Sequence, residues 1–135
     1  MKYLKNRCGE GYIDICVMII AFVSGLVIAI NVFSFITLKV EMDTIAEELI
    51  ESATYEGEFG DEFRHRTETM KDIYYEFDTE YGADEWFNTT LQRVQLGDEM
   101  WVTISKETYV KGLGAFKIPV TVKVTRSGLS EKYWK

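Results

Sequence analysis

The sequence predicts an α+β fold: a long N-terminal helix, transmembrane in its first part and amphipathic in its second, followed by a short helix and a small antiparallel β-sheet. Three observations carry this reading. Ile15–Leu38 is a run of 24 residues without a charge. Apolar residues then recur at three- and four-residue steps from Val40 to Ile50. Further on, Phe116, Ile118, Val120, Val122 and Val124 alternate with Lys117, Pro119, Thr121, Lys123 and Thr125, the period of a half-buried strand. A length of 135 residues fits one domain with an added segment and excludes a two-domain enzyme.

The uncharged run would form a helix of about 36 Å, enough to cross a hydrocarbon core of about 30 Å with some tilt. A core helix of a small soluble domain would show a polar face. This run offers only Ser24, Asn31, Ser34 and Thr37. Asn31 needs a partner in lipid and marks a helix–helix contact or a local backbone bond. Lys2, Lys5 and Arg7 precede the run with no acid among them, which holds the N-terminus in the cytoplasm and places the C-terminal part outside. A cleaved secretory signal fits less well, because the run is long and no small-x-small site follows it. Glu10 and Asp14 lie between the basic start and the run. A carboxylate at the depth of Asp14 is costly and points to function, the plainer reading being a side chain at headgroup level.

Beyond Leu38, Val40, Met42, Ile45, Ala46, Leu49 and Ile50 form an apolar stripe with acids between them. Nothing breaks the pattern before Gly57 and Gly60. One helix is therefore expected over 10–56, with 15–38 in the membrane and 39–56 amphipathic, its stripe covering a sheet. Residues 57–135 form an extracytoplasmic α+β domain. Asp61 is expected to cap a second helix over 61–76 with Phe63, Met70, Ile73, Tyr74 and Phe77 as its apolar positions. Residues 78–84 read as a loop and Leu91–Leu96 as a strand turned back by Gly97-Asp98. Met100–Ser105 and Phe116–Thr125 read as a hairpin joined through Lys111-Gly112-Leu113-Gly114. Pro119 marks an edge strand or a position whose N–H would face outward; an edge there is open to another chain or protected by Lys117 and Lys123.

The net charge is −7, which argues against duplex nucleic acid as a partner. Residues 41–85 hold 16 acids and three bases, and residues 86–135 hold eight bases and four acids. The two stretches can attract one another, within or between chains, although a solvated helix face is the simpler use of the acids. Cys8 and Cys16 are two helical turns apart, too far for a disulfide, and have no metal spacing. No catalytic, cofactor or metal site stands out. His65 lies between Arg64 and Arg66, which disfavours a general base. Acid pairs such as Glu47/Glu51 arise by chance among 22 acids. Asn88-Thr89-Thr90 matches a glycosylation sequon, a common tripeptide. Trp86, Phe87, Trp101, Tyr109, Tyr133 and Trp134 suit core or interface packing.

The segment Lys5-Asn6-Arg7-Cys8-Gly9-Glu10-Gly11-Tyr12-Ile13-Asp14, followed by the apolar run, resembles a type IV prepilin leader. That family has a short basic leader ending in Gly, an acid five residues on, and a hydrophobic helix. The nearest resemblance is to the TadE/TadF-like pseudopilins of tight-adherence pilus systems, in particular uncharacterised Gram-positive families of that kind, which have a tail similar to Ser127–Lys135. Asp14 stands where pilins usually have Glu, one methylene shorter with the same charge. The resemblance implies a leader over 1–9, a prepilin peptidase as partner cutting between Gly9 and Glu10, and assembly with other pilin-like subunits. It implies a minor pilin or pseudopilin of an adherence or secretion apparatus, at the membrane and then in a surface pilus. The new amino group at Glu10 would be positive, and a neighbour's Asp14 could neutralise it and set axial register. The contrasting reading is a single-pass anchor presenting a ligand-binding or regulatory domain; a membrane-tethered hydrolase comes third.

Overall fold

The computed structural model describes residues 8–111 and 116–135, with side chains from Gly11 onward. It contains two helices, α1 (Cys8–Glu56) and α2 (Asp61–Ile73), and three strands, β1 (Asp78–Ala83), β2 (Glu99–Lys111) and β3 (Lys117–Leu129). The strands form one antiparallel sheet in the order β1-β2-β3. The α+β class is therefore the observed one. The leader expected over 1–9 lies outside the described residues except for the backbone of Cys8 and Gly9, which belongs to the first turn of α1. The loop expected at 111–114 lies outside them from residue 112 onward.

Helix α1 has 49 residues, about 74 Å of helix, and its two halves do different things. No residue from Gly11 to Glu41 is buried. Met42, Ile45, Ala46, Leu49, Ile50 and Ala53 are buried against Met100, Val102 and Ile104 of β2 and Val122 and Val124 of β3. Each large side chain moved from water in this way stabilises by about 1.5–3 kcal/mol. Val40 departs from the expected stripe and is exposed. The stripe that meets the sheet instead runs backward through Leu38, Phe35 and Asn31, at the same three- and four-residue steps, with Phe35 and Leu38 half-buried on the core.

The helix stops at Gly57, whose φ of +66° is left-handed and whose N–H donates to the Ala53 carbonyl at 2.8 Å, an αL termination. Helix α2 ends at Ile73, short of the expected residue 76, where Ile73-Tyr74-Tyr75 is a run of weak helix formers. Gly60 occupies its N-cap with no side-chain bond. Asp61, expected to be the cap, lies in the first turn with Glu62, where its charge suits the dipole. Phe63, Met70 and Phe77 are buried, whereas Ile73 and Tyr74 are exposed. Phe59 stacks on Tyr81 at 4.6 Å between ring centroids and meets Phe63 edge-on at 5.0 Å, so α2 is tied to the sheet through aromatic contacts.

Two further expectations are corrected. The loop expected at 78–84 is strand β1, paired from Asp78 with Ser105 to Ala83 with Met100. The strand expected at Leu91–Leu96 is irregular. Gln92 takes a left-handed φ of 52°, and the Asn88 carboxamide oxygen accepts from the Thr90 and Leu91 amides at 2.9 and 3.0 Å, a turn that ends any extended run. Only Val94 of the segment is buried. It is held by its amide donating to the Gly57 carbonyl at 2.8 Å.

The tail after β3 seals this region. The Ser130 hydroxyl donates to the Val94 carbonyl at 3.0 Å, the Trp134 indole donates to the same carbonyl at 3.1 Å, and the Arg93 guanidinium lies 4.0 Å from the Trp134 ring centroid. Arg93 also donates to the Glu58 carboxylate at 2.8 Å.

Candidate functional site

The amphipathic half of α1 and the β2–β3 hairpin run side by side, and the hairpin is long enough to overtake the buried part of the helix. Beyond Ser105, β2 has no β1 partner, so its far end presents free backbone groups. Asn31 supplies the missing partner. Its carboxamide nitrogen donates to the Lys111 carbonyl at 2.8 Å, and its oxygen accepts from the Lys111 N–H at 3.3 Å. One side chain thus satisfies both backbone groups of one residue, as an added strand would. The same nitrogen donates to the Val27 carbonyl at 2.8 Å. The local bond and a long-range contact both occur, and the partner is a strand end rather than a second helix.

Because Lys111 turns both groups toward Asn31, it does not use them on Lys117 opposite. By the alternation of an antiparallel ladder, Tyr109 opposite Pro119 is the same kind of pair. The N–H that Pro119 lacks therefore costs no rung, and β3 is an edge strand, as the proline indicated.

A groove of about 440 Å³ lies between α1 and this hairpin end, lined from Ser24 to Ile36 on the helix and by Val110, Lys111 and Val120 on the sheet. Phe116 and Ile118 beside it are 74% and 60% exposed, and Tyr109 on the opposite face is exposed as well. From the sequence, Phe116 and Ile118 are expected as the apolar face of a strand, Lys117 as edge protection and Lys111 as a loop residue, whereas Lys111 is the last residue of β2 and the partner of Asn31. The available signal was the stretch from Thr108 to Leu129, which holds four bases and no acid.

Two polar contacts lie below this point, one joining α1 to β3 and one joining the connection between α2 and β1 to β2. The Asp43 carboxylate takes two hydrogen bonds from Arg126, one from Nε at 2.8 Å and a second from Nη2. That bonding holds the Asp43 carboxyl below the usual carboxylate range and raises Arg126. Nearby, the Lys106 ammonium sits 3.4 Å from the Tyr75 ring centroid. Burial pulls Lys106 down against the opposing charges of Glu41 and Glu76. Burial, with Glu41 and Tyr74 adding to it, pushes the Tyr75 phenol up to about 12.

The remaining sequence candidates stand apart. Gly9 and Glu10 lie in the first turn of α1. Asp14 is exposed on the same helix and Cys16 is an exposed free thiol. His65 is exposed on α2. Glu47, Glu48, Glu51, Glu56, Glu62 and Glu131 share an open groove with Arg66, and Arg66 pairs with Glu48 at 3.3 Å. Among the described residues, no three His, Cys, Asp or Glu side chains are grouped to hold a metal ion.

An α+β body built on one half of a helix, with the other half apolar and without a fully buried residue, fits a membrane anchor carrying a small domain. Among the described residues α1 is the one helix long and apolar enough to cross a membrane. The chain belongs to the family described as Domain of unknown function (DUF4320), which it matches over residues 16–135. No curated protein and no solved structure matches it. The family match begins inside the apolar run, so that run and the body fall in one matched unit.

Proposed function

We propose that the protein is a pseudopilin or minor-pilin-like structural subunit of a Tad-type pilus or a related adherence or secretion apparatus, and a substrate of a prepilin peptidase. The observation that carries the reading is the continuity of α1. One unbroken helix is a bare apolar rod at its N-terminal end and the spine of the body at the other. A subunit of this shape can rest in a bilayer through the rod and later pack the rod against the rods of its neighbours, with no refolding of the body.

The leader features add support. The Gly9–Glu10 bond lies in the first turn of α1, where backbone N–H groups have no intrahelical partner and fraying costs least. The reading gives Asp14 the task of neutralising a neighbour's new amino group. N-terminal sequencing of the mature protein tests it: a start at Glu10 is expected. An intact Met1 in cells that carry the peptidase would favour a single-pass anchor presenting a ligand-binding or regulatory domain.

A further inference from the structure

We infer that the end of the β2–β3 hairpin is a second membrane contact, seated in the headgroup layer of the leaflet on the body's side. Phe116 and Ile118 face the acyl chains there, and Lys111 and Lys117 face anionic lipid phosphates. The inference rests on α1 being a membrane span and does not depend on pilus assembly.

Depth comes first. Asn31 follows Asp14 by 17 residues, about 26 Å along the helix axis. With Asp14 at one edge of a hydrocarbon core of about 30 Å, Asn31 lies within about 4 Å of the other edge. Its two bonds to Lys111 hold the hairpin end at that level. A body simply standing in water above the membrane would keep its strands clear of this depth.

Composition comes second. The part of the hairpin that extends past the core, residues 106–121, holds Lys106, Lys111 and Lys117 against one acid, Glu107. Ile118 lies opposite Val110, which lines the groove on the helix side of the sheet, yet it remains exposed, and Phe116 immediately before β3 is exposed as well. Lys111 and Lys117 are directly opposite on neighbouring strands, a like-charge pairing that destabilises a sheet in water. An anionic lipid surface turns that pairing into an attraction worth about 1 kcal/mol per lysine. The nearest acid along β2, Glu107, is four residues back, about 13 Å. The groove between the hairpin and α1 opens along the apolar run, so an acyl chain can continue the bilayer into it.

Backbone chemistry sets the limit of insertion. Among the described residues the outer edge of β3 has no strand partner, and its unpaired backbone groups are not tolerated in hydrocarbon. Asn31 satisfies Lys111, and headgroups and water satisfy the edge, so the hairpin stops at the interface.

The test uses the full chain with Cys8→Ser and Cys16→Ser and one new cysteine carrying an environment-sensitive fluorophore. The sites are Phe116→Cys, with Leu26→Cys and Ser127→Cys as lipid and water references. The vesicles are phosphatidylcholine with or without phosphatidylglycerol, and contain nitroxide-labelled acyl chains. Quenching at Phe116→Cys that approaches Leu26→Cys and exceeds Ser127→Cys is expected. Lys111→Gln with Lys117→Gln should lower the inserted-to-free ratio about fivefold per lysine in the anionic vesicles, and much less in the neutral ones. Quenching at Leu26→Cys but not at Phe116→Cys overturns the inference and leaves the span intact. Absence of quenching at both sites removes the span itself. Disulfide dimers through Phe116→Cys in place of lipid quenching would assign the face to a second copy of the chain and overturn the lipid assignment.

Discussion

Asp43 in the C-terminal half of α1 and Arg126 in β3 are joined by a two-pronged ion pair, with Arg126 Nε 2.8 Å from one carboxylate oxygen and Nη2 bonded to the other. The geometry gives the pair an acid dependence. Bonding to Arg126 lowers the folded Asp43 carboxyl below its ordinary value. Its stabilising contribution is therefore complete above the unfolded carboxyl's pKa, about 3.9, and is lost as pH falls through the lower folded value. Asp43→Asn should flatten the loss of stability in acid, measured by denaturant unfolding at pH values on either side of about 4. Equal acid slopes for the two proteins would contradict this.

Tyr75 gives the opposite limb. Its hydroxyl is buried and has no hydrogen-bond partner among the described residues, while Lys106 sits over its ring. The folded phenol is raised to about 12 from 10.0, so its contribution is full below the unfolded value and is lost as pH rises through the folded one. Tyr75→Phe keeps the ring for Lys106 and removes an unpaired polar group. Stability at neutral pH should stay level or rise by up to about 1 kcal/mol, and the alkaline loss should shrink. A drop of several degrees in Tm at neutral pH would mean that the hydroxyl has a partner in solution.

These two contacts show what the sequence could and could not reveal. Strand β3 was legible because one face is buried: Val122 and Val124 are covered while Lys123 and Thr125 are not. The lower half of α1 was legible for the same reason, since acids between Met42 and Ile50 mark the phase of the stripe. Above Leu38 that marking disappears, because no position is charged and the few polar ones, Ser24, Asn31, Ser34 and Thr37, do not mark one phase. Asn31 was the one visible marker, and without knowledge of the hairpin its natural partner was another helix. Strand β1 was hidden by Asp78 and Glu80 on its outer face and by Gly82, which lets Trp101 lie across it. Leu91–Leu96 misled because Leu91 and Leu96 are apolar yet exposed, and one left-handed residue, Gln92, decides the conformation.

Gly57 is a position where backbone and packing agree. Its φ is left-handed, and a Cβ there would clash with the Lys132 Cβ. Gly57→Ala should cost more than about 1 kcal/mol and loosen the tail that carries Trp134, read as a lower Tm with a change in tryptophan emission. Gly97 has a φ of +89° with open space around it, so Gly97→Ala isolates the backbone strain. Equal losses at the two sites would show that the tail absorbs the clash.

Asp14 is exposed on the apolar rod, so its replacement leaves the core untouched. Under the pilin-like reading, Asp14→Ala stays in the membrane fraction and is missing from a sheared surface fraction. Immunoblots of the two fractions decide the matter, and normal recovery in the sheared material would remove the proposed charge-pair role.

Asn31 can be examined without any assay of function, because its partner is a backbone amide. Asn31→Ala removes one bond to each of the Lys111 backbone groups. At about 1 kcal/mol per bond, the local opening of the hairpin end should become roughly thirtyfold easier, seen as faster hydrogen exchange at Lys111 in detergent or nanodiscs. The buried core from Met42 to Ala53 is untouched by the change, so exchange in the pairs from Asp78–Ser105 to Ala83–Met100 should keep its wild-type rate. Ser34→Ala is the control, since Ser34 bonds only its own helix, donating to the Ile30 carbonyl at 2.9 Å. If Asn31→Ala and Ser34→Ala exchanged alike at Lys111, the hairpin would be held to the helix by packing alone. If only Asn31→Ala accelerates it, one carboxamide within the uncharged run fixes where the body meets the rod.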